Sequence, residues 1–346
     1  MFLKKFSSEP IILSILFISF ITTGCKESTT ETPQTSSRMS LVSARDLPGY
    51  SYGIYVTNVG ATNYAFIAAG SGGLQIVNVS APILPIIAGS ASTSGEAYDV
   101  FVETVNGIPY AFVSDGPMGF DIFDVSNVSS PVLDTIISFP NDRVLTSYID
   151  SSSRIAYVGT FNGKVAIWDI SNLPNSVAQI AVYITVNNIN GIFVDPVEDF
   201  CYLAEGTSGL EIINVANPSN PTYAGSVNTP GISYYVTVGG NYAYIADGGA
   251  GITVVDVSNP LQPEFRRSVT TLGDALGVFY TPNPSQLYTA EGGSGCETFG
   301  AGDPTNPVQL GFYNTNGHAT NVFYYVGYIF LADGPDGLVI LRYSQF

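Results

Sequence analysis

From about residue 40 to the end, the chain is a succession of short apolar runs rich in Val, Ile, Tyr and Phe, separated by clusters of Gly, Asn, Asp, Ser and Pro. Runs of this kind bounded by turn formers predict strands. The segment Asn241-Tyr-Ala-Tyr-Ile-Ala-Asp-Gly-Gly-Ala-Gly-Ile-Thr-Val-Val-Asp-Val-Ser-Asn-Pro260 is the clearest copy of a unit that recurs. Its Gly251 has counterparts at Gly73, Gly119, Gly163, Gly209, Gly295 and Gly337, at successive spacings of 46, 44, 46, 42, 44 and 42 residues. A four-stranded propeller blade takes roughly 40–50 residues, so the spacing predicts one blade per copy.

Each copy reads as four strands, a to d. In the fifth copy the pattern predicts strand a at Ile232 to Val238, b at Tyr242 to Asp247, c at Ile252 to Val257 and d at Glu264 to Thr270. Strand c is apolar on both faces, as a sheet covered on both sides requires. Asp-Val-Ser-Asn-Pro then turns the chain, because short polar side chains bond nearby backbone and Pro fixes φ.

The seventh copy ends before a strand d. The stretch Leu41-Val-Ser-Ala-Arg45 parallels Ile87-Ala-Gly-Ser-Ala91, so residues about 40–46 are expected to supply the missing strand. The alternative is an open solenoid with caps, which exposes sheet edges that a closed ring hides. The expected fold is therefore all-β: a single seven-bladed propeller of four-stranded antiparallel blades over 40–346, closed by an N-terminal strand completing the last blade.

The first residues follow another pattern. Lys4 and Lys5 precede an apolar stretch, Ile11 to Ile21, too short to span a bilayer comfortably. It runs into Thr22-Thr23-Gly24-Cys25, which resembles the bacterial lipobox, although Thr22 stands where that motif usually has Leu. The resemblance implies a signal peptide over 1–24 and lipidation at Cys25, hence a membrane attachment through acyl chains. Residues 25–39 are polar and Ser/Thr-rich, with too little apolar surface to order themselves, and read as a flexible tether.

Charge narrows the partners. The chain has 11 Lys+Arg against 28 Asp+Glu, a net charge of −17. That surface repels phosphates, so no nucleic-acid partner is expected. Three cysteines (Cys25, Cys201, Cys296) give neither a disulfide framework nor metal-ligand spacing, and one histidine, His318, cannot form a His-based metal centre. Cys201 and Cys296 are expected to be buried small hydrophobes, and Trp168 to pack between blades.

The strand-c sequences Leu74-Gln-Ile-Val-Asn78, Phe120-Asp-Ile-Phe-Asp124, Val165-Ala-Ile-Trp-Asp169, Leu210-Glu-Ile-Ile-Asn214, Ile252-Thr-Val-Val-Asp256 and Leu338-Val-Ile-Leu-Arg342 resemble the LVIVD repeat of bacterial and archaeal surface proteins. Cys296-Glu-Thr-Phe-Gly300 departs most. The resemblance implies the propeller and carries no common catalytic motif.

Five of the seven b–c turns place a carboxylate at one position: Asp115, Glu205, Asp247, Glu291 and Asp333. Two readings stand. They form an acidic crown on one face of the disc, able to attract weak Ca²⁺ or a basic segment, or they accept N–H bonds of Gly-rich turns. The d–a turns should lie on that face and vary among copies, with Glu96, Asn141, Asp142, Arg143, Asn187, Asn188, Asn190, Pro230, Asp274 and His318. Varied loops on a repeated scaffold are where binding specificity resides. Asp142, Asp274 and His318 accordingly join the turn carboxylates as the candidate binding face. No catalytic residue and no cofactor is assigned. The functional expectation is a lipid-anchored module of the cell envelope, at the outer membrane or cell surface, that binds a protein or glycan. The alternative is a carbohydrate-active hydrolase or lyase using carboxylates at the channel mouth.

Overall fold

A computed structural model describes residues 38–344, other than residues 196 and 198. The signal segment 1–24, Cys25 and most of the 25–39 tether lie outside the described residues. The described chain forms seven antiparallel sheets of four strands each. Blade 1 runs Gly53–Val59, Thr62–Ala68, Leu74–Asn78 and Ile86–Ala91 in strand order, and the next five blades repeat that order. Blade 7 is Asn321–Tyr325, Tyr328–Ala332 and Leu338–Tyr343, completed by Met39–Arg45.

The closing strand is antiparallel, with Met39 opposite Tyr343 and Arg45 opposite Leu338. It also carries a register shift between Leu41 and Ser43. Strand d of blade 1 shows the same shift against Ile76 and Val77, and strand d of blade 4 against Ile212 and Ile213. A bulge adds one unpaired residue and bends the strand. Residues 39–45 therefore reproduce a strand d down to its irregularity. Residue 39, expected as the last of the tether, belongs instead to this strand, with Met39 buried in the blade 6–blade 7 core.

The inner strands pack in sequence around the axis, and Asn321–Tyr325 returns to lie against Gly53–Val59, so the ring is closed. The core lies between blades. At the blade 7–blade 1 joint, Ile54, Val56, Ile67 and Val77 meet Phe330, Leu338 and Ile340. Each fully buried side chain of this kind contributes roughly 1.5–3 kcal/mol. This explains strand c: one face packs on the preceding blade and the other on the following one.

In the fifth blade the strands are Tyr235–Gly239, Tyr242–Ala246, Ile252–Asp256 and Glu264–Val269. Strand a starts three residues later than the sequence predicts, because Ser233 pairs instead with Gly206 of blade 4 as an isolated bridge. Such bridges link turn b–c of one blade to the entry of the next, as in Gly70 with Ala97 and Gly334 with Ser51. Gly70 sits at φ +53 with the Glu96 carboxylate where a side chain would begin, which favours glycine there. The turns after strand c behave as expected: Asp124 Oδ1 accepts from Ser126 N at 2.8 Å and Asp256 Oδ1 from Ser258 N at 2.9 Å. Cys201 and Cys296 are free and buried. Trp168 packs on Phe139 with ring centroids 6.4 Å apart within the blade 2–blade 3 core.

Candidate functional site

The b–c turns and d–a loops share one face of the disc, and the turn carboxylates join them. Asp115 Oδ2 accepts from Gly95 N at 2.8 Å. Glu205 Oε1 accepts from Val186 N at 2.9 Å and Asn187 N at 2.8 Å. Asp247 accepts from Thr229 Oγ1 at 2.6 Å, Gly231 N at 2.9 Å, Ser233 Oγ at 3.0 Å and Thr253 Oγ1 at 2.9 Å. Glu291 accepts from Thr289 Oγ1 at 2.5 Å and Gly273 N at 3.3 Å, and Asp333 from Thr315 Oγ1 at 2.8 Å. In each case the donor loop is the one that enters the same blade.

This corrects the acidic crown. Asp115, Asp247, Glu291 and Asp333 are 0% exposed and Glu205 is 2% exposed. They are enclosed because their oxygens satisfy loop N–H and hydroxyl groups that would otherwise be buried without partners. The second reading of the turns holds in altered form, since the donors belong mainly to the d–a loop and not to the Gly-rich turn itself.

A second buried position backs this ring. The second residue of strand c is Gln75, Asp121, Ala166, Glu211, Thr253, Glu297 or Val339 in blades 1 to 7. In blade 6, Glu297 lies beside Glu291, and burial followed by that neighbour holds Glu291 well above the usual carboxylate range. In blade 2, burial and then Asp115 push Asp121 up to about 7, and Asp121 Oδ1 has no hydrogen-bond partner. In blade 4, Glu211 Oε1 accepts from Tyr183 Oη of blade 3 at 2.7 Å.

Blade 3 inverts the arrangement. Its turn carries Thr160, which donates to Asp142 Oδ2 of the entering loop at 2.9 Å. Lys164 Nζ stands 3.2 Å from the same oxygen. Burial opposes the charge of Asp142, but bonds from Arg143 N, Thr160, Asn162 N and Lys164 outweigh it and hold the group below its ordinary range. Asp142 is therefore enclosed, not displayed.

The exposed remainder of the candidate face gathers around the axis. Glu96 and Asp274 are exposed and His318 is part-buried. The sequence reading missed the tyrosines between them. Tyr50 and Tyr52 have ring centroids 4.6 Å apart, Tyr52 and Tyr98 lie 5.3 Å apart edge-on, and Tyr50 is 6.5 Å from His318. All are part-buried. Deeper in, six blades place an aromatic residue in strand a, third in the strand for Tyr55, Phe101, Phe193, Phe279 and Phe323 and fifth in the longer Val144–Asp150 for Tyr148. Tyr55 contacts Phe101 at 4.5 Å and Phe323 at 4.9 Å, and Phe101 contacts Tyr148 at 5.2 Å. Blade 5 has Thr237 there, and its Tyr235 instead enters the channel, where burial, then Asp99, Tyr148 and Tyr55, push its hydroxyl upward. These rings floor the mouth. Their signal was an aromatic residue recurring at one register of strand a.

The family model for the LVIVD repeat matches residues 56–93, 94–138, 152–181, 194–229, 230–271 and 316–342. Together these cover more than half of the chain.

The chain belongs to the LVIVD-repeat family.

The six matched LVIVD segments leave blade 6 aside, where strand c reads Cys296-Glu-Thr-Phe-Gly300. Its geometry is nonetheless that of a blade, with Cys296 opposite Ala290 and Tyr313. No curated protein matches the chain in sequence.

Proposed function

We propose that this LVIVD-repeat propeller is a binding module that engages a partner through the loop face around its channel mouth, held at the bacterial envelope by acyl chains on Cys25. The observation that carries the binding reading is the division of labour in six of the seven blades, the turn of blade 1 having Ala69 at this position. A buried carboxylate or its threonine-paired counterpart clamps the entering loop, while the loop's remaining side chains differ from blade to blade and reach solvent. A rigid scaffold presenting varied loops is suited to recognition. The partner is a protein or glycan of the envelope or of a neighbouring surface. The positive n-region, the apolar stretch and Gly24-Cys25 support the anchor.

Two experiments test this. Immobilised protein is exposed to envelope extract beside a variant altered at Glu96, Tyr98 and Asp274, and beside a second variant altered at the outer-edge residues Leu133 and Asp134. Loss of a specific capture in the first variant alone is expected; equal capture by both contradicts the loop-face reading. For the anchor, metabolic labelling with a fatty-acid analogue should mark the protein and fail to mark Cys25→Ser. Labelling of that variant would sink it.

A further inference from the structure

We infer that the tyrosine arc at the channel mouth takes a cationic head, the ammonium or guanidinium of a lysine- or arginine-bearing segment of a protein partner. The inference rests on the loop-face reading above and adds the chemistry of the partner. Around the mouth, blades 6, 7, 1 and 2 contribute in order Asp274, His318, Tyr50 with Tyr52, and Tyr98 with Glu96. The three tyrosine rings are contiguous and tilted against one another by 38° and 62°. Each ring is only part-buried, so the arc offers aromatic surface to solvent, which a cation seat requires.

A carboxylate closes each end of the arc. Glu96 and Asp274 are exposed, and among the described residues neither has an ion-pair partner. The field of Glu96 is felt within the arc, where burial, then Tyr98 and Glu96, raise the Tyr52 hydroxyl; that of Asp274 is felt by Tyr234, in the neighbouring loop that enters blade 5, whose hydroxyl is raised by burial and then Asp274. Tyr50 is pushed up to about 12 by burial, then Tyr52 and Asp333. Burial would disfavour a charge of either sign, and it is the smaller coulombic part of these shifts, from the carboxylates, that favours a cation. The net charge of −17 adds long-range attraction for a basic partner and repels phosphate or sulfate.

The far side of the mouth already holds one such contact. Arg143, in the loop entering blade 3, lies with its guanidinium carbon 5.0 Å from the centre of the Phe161 ring. Arg143 supplies a positive charge on that side, where Lys164 is already paired with Asp142, so it is the opposite arc that stands open to an incoming cation.

The test uses the full-length protein and a short peptide carrying Lys and Arg, with the same peptide carrying norleucine and citrulline as the neutral probe. Tyrosine fluorescence or ring NMR shifts follow titration, and melting curves verify folding. Saturable binding of the cationic peptide alone is expected. Tyr52→Ala with Tyr98→Ala should weaken it about tenfold or more without changing net charge, and Tyr52→Phe with Tyr98→Phe should retain it. Glu96→Gln with Asp274→Asn should also weaken it, whereas Asp134→Asn with Glu264→Gln on the outer rim, which removes as much charge, should not. Equal weakening by the rim pair would reduce the effect to bulk charge and overturn the site. Indifference to the tyrosine-to-alanine pair would overturn it too. Binding of neutral oligosaccharide at the mouth in place of the cationic peptide would overturn the cation assignment and leave the loop-face reading intact; loss of envelope capture in the rim variant would overturn that reading instead.

Discussion

In blade 5 the corner between turn and loop is made by one carboxylate, Asp247, whose two oxygens take four donors, one of them Thr253 Oγ1. In blade 6 the same corner holds Glu291 and Glu297 side by side, with Glu297 accepting from Leu272 N at 2.8 Å and from Gln309 Nε2. Both corners clamp the entering loop. They differ in cost. A single buried carboxylate has no like charge beside it, whereas two adjacent buried carboxyls cannot both ionise cheaply. In these two blades the second residue of strand c, Thr253 or Glu297, decides whether the corner holds one carboxyl or two.

That contrast can be broken from either side. The largest effect is expected from Asp247→Ala, which strands four donors; a loss of about 3 kcal/mol should appear as a lowered urea midpoint. A midpoint shift within error would mean that the loop is held by other contacts. Next, Thr253→Glu transplants the blade 6 pair into blade 5. It should destabilise by about 2 kcal/mol near pH 8 and recover toward acid pH; an effect independent of pH would point to volume, not charge.

The reverse change, Glu291→Gln, keeps the shape and fixes the neutral form. Because the folded state holds the Glu291 proton more tightly than the unfolded chain, its contribution is fully present below about 4.5 and is lost as pH rises toward the raised folded value. The variant should therefore match the parent in acid and exceed it by about 1 kcal/mol in alkali. Asp121 follows the same sign, its contribution being lost as pH rises from 3.8 to about 7. The smallest effect belongs to blade 3: Lys164→Ala removes a half-exposed cation from Asp142 and should cost about 0.5 kcal/mol, less at high salt.

The comparison also shows what the sequence could and could not disclose. Blade count and strand c were legible because the glycine spacing and the apolar runs are set by the repeat itself, and the closing strand, expected at about 40–46 and found at Met39–Arg45, because it parallels the strand d of blade 1. Blade 6 was legible in outline although its strand c, with Glu297 and Thr298, departs from the pattern. The turn carboxylates were visible as a series, but their burial was not. Whether Asp115 faces water or Gly95 N depends on how a loop some twenty residues away folds back, and no local pattern encodes that. The tyrosine arc was hidden for the same reason. Nothing local marks Tyr50, Tyr52 and Tyr98 as neighbours until the ring sets blade 1 beside blade 2 and blade 7.

The strand that completes blade 7 comes from the opposite end of the polypeptide, with Met39–Arg45 zipped to Leu338–Tyr343. A chain emerging amino-end first presents this strand long before its partner exists. Its edge must wait through the synthesis of nearly three hundred residues (about 15–60 s at ordinary elongation rates), and the ring closes only at the last step. Pairing so remote in sequence carries a large loop-closure entropy that earlier blades cannot offset one by one. During that interval the edge of Met39–Arg45 lacks its native partner and is open to a foreign strand, so the closing strand is where the disc is most exposed to joining a neighbour.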